Sequence, residues 1–511
     1  MLLYRPEEKN LKRRTFLKAA GLAAAAPVVS VAQEPVKKPP LAPGTILVND
    51  VHGQLSSARV FSIERPESLD DLAKAFALAK TEERNVCIAG GRHSMGGQPF
   101  AADAVLIDTR KLSKVLAFDT ERGLIEVESG MMWPQLLDHL TTVQHGQPKH
   151  WTFAQKQTGA DRLTIGGSLS SNIHGRGLTL PPFIGDIEAF KIVNAGGQLL
   201  TCSRTQNPEL FRLAIGGYGL FGFVYSVTLR LVPRRKLERV VEVRDIAGII
   251  SAFAERVREG YTFGDFQYAI DDRSEDFLRK GVFSCYRPLP EDEQETTPVT
   301  PNRKEMSARD WVDLLYLAHT DKAAAFKRYA AFCQSTSGQV YWSDEAQMSI
   351  YPENYHRELD RRYAATNRAT EVITEIYCDR EALEPFMADV REYVKRDQVE
   401  IIYGTIRLIE QDHESFLPWA RKPYACVVFN VHVEHSTRGS IRAGDAFRRL
   451  INIGIKHGGS YYLTYHRHAL RQQIDVCYPR FREFLQLKRK YDKEELFQSD
   501  WYRHYKRMYF G

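Results

Sequence analysis

Val86-Cys87-Ile88-Ala89 reads as a short buried strand, and it runs straight into Gly90-Gly91-Arg92-His93-Ser94-Met95-Gly96-Gly97-Gln98, a glycine-dense loop. Consecutive glycines let several backbone N–H groups converge on one anion, as in a nest around a pyrophosphate. An ordinary turn would use the same residues, so the neighbours decide. Upstream, the stretch from Pro66 to Ala77 has Ser68 as an N-cap, Asp71 three residues on and apolar residues at helical spacing, which predicts a helix. Downstream, Val105-Leu106-Ile107-Asp108 and the run from Leu124 to Gly130 predict strands, and Trp133 to Leu140 begins another helix. Residues 163–177 are rich in glycine and serine, and Phe190 to Leu200 reads as a hairpin around Ala195-Gly196-Gly197. Short strands with interleaved helices predict an α+β domain ending near Pro233.

Beyond it, residues 236–458 form a second region. Glu371 to Tyr377, Glu400 to Arg407 and Ala425 to His432 read as strands, and residues 381–396 as a helix, which together predict an antiparallel sheet with helices on one face. The acidic, Thr- and Pro-rich stretch from Glu291 to Lys304 predicts a mobile loop. With 511 residues, 43% apolar and 26% charged, the chain has ordinary globular composition and room for two or three domains.

The string Gly217-Tyr218-Gly219-Leu220-Phe221-Gly222 satisfies G-x-G-x-x-G. That fingerprint needs a strand before it and a helix after it. Here a helical pattern, Pro208 to Ile215, precedes the glycines and a strand pattern, Phe223 to Arg230, follows, so a Rossmann site is rejected.

Four blocks then stand in a fixed order: Ala89 to Gln98; Val127-Glu128-Ser129-Gly130-Met131-Met132-Trp133; Leu163 to Gly175, with Thr164-Ile165-Gly166-Gly167-Ser168-Leu169-Ser170; and Gly216 to Val224. They resemble the FAD-linked oxidases of the vanillyl-alcohol oxidase and p-cresol methylhydroxylase (PCMH) type. Tyr461-Tyr462-Leu463-Thr464-Tyr465-His466, Tyr478-Pro479-Arg480-Phe481 and Leu496-Phe497-Gln498-Ser499-Asp500 look like the closing segment of alditol oxidases, cytokinin dehydrogenases and decaprenylphosphoryl-ribose oxidase. The resemblance implies a PCMH-type FAD-binding domain of two subdomains over 51–235, an antiparallel-sheet substrate cap over 236–458, and a segment, 459–511, that returns to the FAD domain.

It also implies site residues. Gly90, Gly91, Arg92, Ser94, Gln98, Gly130, His174 and Tyr462 fall at cofactor-binding positions. Thr164, Gly166, Gly167, Ser168 and Ser170 would bind the diphosphate or the ring edge, and Val224 would contact adenine. His93 stands where many relatives bond covalently to the flavin 8α-methyl, the plain alternative being a histidine that satisfies a turn. No Cys lies between 158 and 177, so a second attachment is not expected. The chemistry implied is hydride transfer from an alcohol carbon of a sugar, polyol or lactone to flavin N5, with a protein group accepting the proton or stabilising charge. Tyr465 stands where sugar- and polyol-oxidising relatives carry Lys. Arg407 sits at the Arg of a Glu-x-Arg pair whose Glu position is Thr405, and Tyr465 and Arg407 are expected to meet over N5. Asn430, His432 and His466 are further candidates for the pocket, each with a plain reading as a polar residue at a strand end. Cytokinin dehydrogenases use an Asp near the position of Gly159, so that substrate loses support. Ile173 sits where relatives control oxygen access, which leaves oxygen and another acceptor both open, the latter with a lipid-linked sugar as a possible donor. A flavin-fold binding protein without turnover is the alternative from another class.

The N-terminus has its own reading. Lys12-Arg13-Arg14-Thr15-Phe16-Leu17-Lys18, then uncharged residues from Ala19 to Gln33 and the small-x-small Ser30-Val31-Ala32, resemble a twin-arginine export signal over 1–32. A Pro-rich linker, 33–50, follows, and an exported, periplasmic protein is expected. The signal is short and mostly Ala where a spanning helix wants about 20 strongly apolar residues, so no stable membrane span is expected in the mature form. Residues 1–32 hold an excess of +4 out of a net +6, and the remaining +2 gives no electrostatic footprint for nucleic acid. The seven cysteines show no C-x-x-C spacing. His432-x-x-His435 and His466-x-His468 lack a completing Cys or carboxylate in the sequence, so no metal is expected.

Overall fold

The computed structural model describes residues 46–511. The twin-arginine stretch and most of the linker lie outside the described residues. The end of the linker does not: Ile46–Val48 is a strand, antiparallel to Ala58–Val60, so the FAD-side fold begins earlier than residue 51. The physical reason is the β-favouring Ile-Leu-Val run that follows the last proline, with Val48 buried against Ala58 and Val60.

Ser62–Glu64, Val105–Asp108 and Val86–Ala89 form a parallel sheet with Val105–Asp108 in the centre. Its central strand is buried along its whole length, as parallel strands covered on both faces are. Helix Leu69–Thr81 lays Leu72, Ala75 and Ala79 against it, started by the Ser68 hydroxyl accepting from Asp71 N. A second, antiparallel sheet runs in the order Leu199–Ser203, Ile187–Val193, Phe223–Pro233, Leu124–Glu128, Val115–Asp119, and Trp151–Phe153 pairs with the far end of Phe223–Pro233. The expected hairpin joins Ile187–Val193 to Leu199–Ser203, with Gly197 in the left-handed region at φ 79°. Helix Pro208–Ala214 precedes the glycines at 216–222 and strand Phe223–Pro233 follows them, the reverse of a Rossmann turn.

Between Pro233 and Lys236 the chain passes to a seven-stranded sheet, antiparallel throughout. Its order is Val340–Trp342, Lys236–Asp245, Lys280–Pro288, Phe263–Tyr268, Ile401–Ile409, Tyr424–Glu434, Ala369–Cys378. Helices Leu383–Asp397 and Thr437–Lys456 cover one face with apolar stripes such as Phe386, Val390, Phe447 and Leu450. The acidic stretch differs from its expectation: Glu291–Thr296 is a short helix, its first turn holding Glu291, Asp292 and Glu293 where the helix dipole favours anions. Helices Ala308–Thr320 and Lys322–Gln334, for which the sequence reading offered no element, stand over the sheet's other face.

The last 50 or so residues return to the first domain. Gln98 Nε2 donates to the carbonyls of Leu463 and Thr464, Phe497 bridges to Val86, and Trp501 N donates to Gly97 O. Helix Asp500–Phe510 buries Trp501, Tyr502 and Tyr505. All seven cysteines are buried and free. Among the described residues no helix is long and apolar enough to cross a membrane.

Candidate active site

One cavity of about 650 Å³ runs between the two halves of the molecule. On one side its wall is mostly glycine and backbone: Gly90, Gly91, Gly166, Gly167, Gly219 and Gly222 line it. Close approach demands Gly90, Gly91, Gly166 and Gly222. A Cβ on Gly91 would overlap the Arg162 carbonyl oxygen, and one on Gly166 would lie 2.6 Å from Ser129 Cβ. The loop carries His93 to the wall, with Nδ1 2.8 Å from His52 Nε2 and Nε2 3.1 Å from Arg162 O. A carbonyl only accepts, so His93 Nε2 donates and Nδ1 accepts from His52, which is a neutral ring. Burial agrees, pulling the His93 pKa down to about 4.

The other side is built from side chains on the inward face of the seven-stranded sheet. Period-two alternation puts Glu371, Ile373 and Glu375 of Ala369–Cys378 on that face with Val428 and Asn430 of the next strand and Arg407 of the one beyond. Glu375 is the hub. Its carboxylate accepts from His174 Nε2 at 2.8 Å, Tyr465 OH at 2.9 Å and Tyr377 OH at 3.2 Å. Burial works against its ionisation, yet His174, Arg407 and Tyr465 hold the carboxyl below its ordinary range. Burial first, then the Glu375 charge, raise the Tyr465 phenol well above its ordinary value, so it stays protonated. Arg407 is only 7% exposed, and its Nε and Nη1 have no hydrogen-bond partner. Expected to meet, Tyr465 and Arg407 line one cavity with Glu375, to which Tyr465 donates.

A polar ligand is what the glycine side is shaped for. Four polar atoms on residues lining it, Thr109 Oγ1, Ser129 Oγ, Gln98 Oε1 and Arg92 Nε, are buried without a partner, an arrangement a monomeric fold avoids unless something supplies the bonds. Residues 62–203 match the family model described as an FAD binding domain. The chain carries an FAD-binding domain of PCMH type. It is 30% identical over 199 residues to cytokinin dehydrogenase 8 of Oryza sativa subsp. indica, covering 35% of this chain and 36% of that protein. It is 30% identical over 175 residues to L-gulonolactone oxidase of Bos taurus (34% and 38%), and 28% identical over 214 residues to cytokinin dehydrogenase 1 of Arabidopsis thaliana (39% and 36%). The matches thus span little more than a third of those relatives' lengths. The residues present fit FAD: a long cavity in the size range of cofactor sites, backbone crowded by glycine on one wall and unsatisfied donors and acceptors along it.

Of the residues expected at the cofactor, Gly90, Gly91, Arg92, His93, Ser94, Gln98, Thr164, Gly166, Gly167, Ser170, Val224 and Tyr462 line the FAD cavity. Three do not. Ser168 is fully buried and its hydroxyl accepts from Trp133 Nε1 at 3.2 Å, so it packs the domain. Gly130 is there because a side chain would overlap the Thr109 carbonyl. His174 sits behind the wall, orienting Glu375.

Among the pocket candidates Asn430 lines the cavity, while His466 lies off it, stacked on Phe447 with Nε2 3.1 Å from Thr374 Oγ1. His432 is also off it, because its Nδ1 turns to Glu371 at 3.2 Å, where His319 Nε2 approaches at 3.1 Å. A carboxylate does therefore join His432, which sequence spacing could not show. His319 ion-pairs with Glu371, His432 hydrogen-bonds to it, and Tyr355 OH donates to its other oxygen. Thr405, at the Glu position of the expected pair, donates to Asp265 instead. The group that sequence reasoning missed is Glu375. Its signal was present: an acidic residue two positions from Ile373 and four from Glu371 on one strand, in phase with inward-facing neighbours.

Proposed function

We propose that the chain is an exported FAD-linked oxidoreductase that removes hydride from an alcohol carbon of a sugar, polyol or lactone. The Tyr465, Glu375 and Arg407 set, on the wall facing the glycine loops, carries this reading. When bound, FAD supplies the two-electron acceptor. The chain's own residues manage proton and charge. Tyr465, kept protonated, orients the substrate hydroxyl; Glu375, kept ionised, takes its proton directly or through Tyr465; Arg407, whose Nε and Nη1 have no partner among the described residues, holds a neighbouring oxygen and stabilises negative charge as it develops. L-gulonolactone oxidase among the relatives supports a sugar-derived donor. The cytokinin dehydrogenases speak for an amine, but Asp161, the acid nearest Gly159, is taken by buried Lys156 at 2.8 Å. Ile173 on the cavity wall favours an acceptor other than oxygen.

Anaerobic mixing with a polyol and sugar panel should bleach the flavin band near about 450 nm, and admitting air then separates oxidase from dehydrogenase. Tyr465→Phe should slow that bleaching about 100- to 1,000-fold with the bound-flavin spectrum unchanged. Bleaching at the wild-type rate would move the role to Asn430. Covalent attachment through His93 is part of the proposal, supported by its neutral ring at the cavity wall. Denatured protein should keep flavin fluorescence on a gel and His93→Ala should lose it; flavin freed by acid from the wild type would end that claim. Export is tested by Arg13→Lys with Arg14→Lys, which should strand precursor in the cytoplasm.

A further inference from the structure

Ionic groups on the cavity wall do not balance. Glu375 is taken by His174, Glu371 by His319 and His432, Asp161 by Lys156, and Glu345 and Glu305 by Arg303. Asp265 has Arg176 Nη1 at 3.6 Å. Every carboxylate on this wall thus has a basic side chain within ion-pair distance, whereas among the described residues neither Arg239 nor Arg407 has an acidic partner at that distance. Arg239 makes do with Ser284 Oγ at 3.0 Å and Cys333 Sγ at 3.7 Å. Arg176 is incompletely met as well, its Nε buried and unpartnered.

These three guanidiniums share one patch. Arg176 Cζ stands 4.7 Å from the centre of the Tyr286 ring and Arg239 Cζ 5.6 Å from the same ring. Ser284, which accepts from Arg239, is paired with Asp265 across the strands, and the register Phe266↔Ile406 sets Arg407 on the strand beside Asp265. Cations drawn out of water without a counter-charge are costly, and planar guanidiniums with free donors match the two-oxygen edge of an acid.

We propose that this patch is an anion subsite: the substrate carries a carboxylate or phosphoryl group that Arg176 and Arg239 hold, while its reacting carbon lies at Tyr465, Glu375 and Arg407. The inference rests on the proposed function and narrows its substrate class to sugar acids or sugar phosphates. Between the Glu375 strand and the Asp265 strand lie Tyr424–Glu434 and Ile401–Ile409, three spacings of about 4.8 Å each at the backbone.

The test is calorimetric titration of the purified flavin-loaded protein with sodium gluconate, glucose 6-phosphate and sorbitol, with and without added salt. One of the two acids should bind roughly tenfold or more tighter than sorbitol, an advantage that salt weakens. Which acid wins tells carboxylate from phosphoryl. Arg239→Gln should abolish the preference and Arg239→Lys should restore part of it, both with wild-type flavin spectra and melting temperatures; if Arg239→Gln does not fold, Arg176→Gln serves. Sorbitol binding as tightly as both acids, or a preference that survives Arg239→Gln and Arg176→Gln, overturns the subsite. Anaerobic mixing with the same three compounds separates the two readings. Arg239-dependent acid binding without any bleaching by the panel would leave the subsite standing and end the redox proposal. Bleaching by sorbitol, with acids neither binding nor bleaching, would do the reverse.

Discussion

The two walls of the FAD cavity are made in opposite ways. On the cofactor side the chain brings backbone to the ligand, and glycines at 90, 91 and 166 stand where a side chain would collide with a neighbouring segment. On the cap side it brings side chains, spaced by the two-residue period of strands and gathered from segments as far apart as Arg239 and Tyr465. Backbone sites need particular residues in a row; side-chain sites need only one residue per strand. The first kind leaves a local signature and the second leaves almost none.

Four measurements can break or sharpen that contrast. Glu375→Gln, on the cap side, should lower the rate of flavin reduction by about 10²–10⁴ without releasing flavin, because it removes the ionised group to which Tyr465 donates. Reduction at the wild-type rate would make Glu375 a packing residue and leave the cap wall without a base.

Next in size is the His319 cluster behind that wall. Burial opposes its charge, but Glu371 and Glu400 raise the His319 pKa from 6.5 to about 9. Its proton therefore adds stability that is complete below the unfolded value near 6.5 and is lost as pH rises through about 9. Glu371, held far below its ordinary range by the same histidines against the pull of burial, stays ionised across that window. His319→Ala should thus cost roughly 2–3 kcal/mol at pH 6 by denaturant unfolding, with the difference shrinking toward pH 10. A difference independent of pH would mean that His319 contributes packing alone.

On the cofactor side, Gly91→Ala should push the loop off Arg162 at about 1–3 kcal/mol, the usual cost of overpacking, and the purified protein should hold less flavin per chain. Full flavin content would show that the loop tolerates a side chain and that close approach is not what fixes the glycine. The smallest effect is expected at Ser168→Ala, which loses one buried hydrogen bond worth about 1 kcal/mol and should leave flavin content unchanged. A drop in flavin content there would return Ser168 to the cofactor.

Legibility in the sequence follows the same division. The blocks at 89–98 and 163–175 identify the cofactor domain because their glycines serve local backbone geometry, and the helix from Ser68 and the hairpin at Gly197 are likewise set by neighbouring residues. Ser168 shows the limit: inside a correct motif, which residue faces the ligand and which packs Trp133 depends on helix phase. In the cap, Arg407 and Tyr465 could be picked out by resemblance, but Glu375 reaches them only through strand pairing that no spacing encodes. His432 acquired a carboxylate from Glu371, about 60 residues away in sequence, for the same reason.

The closing segment of the chain gives the molecule a built-in order of events. Thr464 and Tyr465 complete the cavity that Gly90 begins, and Gln98, Gly97 and Val86 are tied down by residues 463, 464, 498 and 501. A ribosome reading from the N-terminus makes the glycine loop early and its cover last. Contacts separated by more than 350 residues cannot form until synthesis is nearly finished, so the cofactor site closes only on a chain that is already almost whole. A nascent or truncated chain lacking its last 50 or so residues would present an open trough rather than a binding site. Loading of FAD can in this way report that synthesis has passed the segment from Leu463 to Trp501.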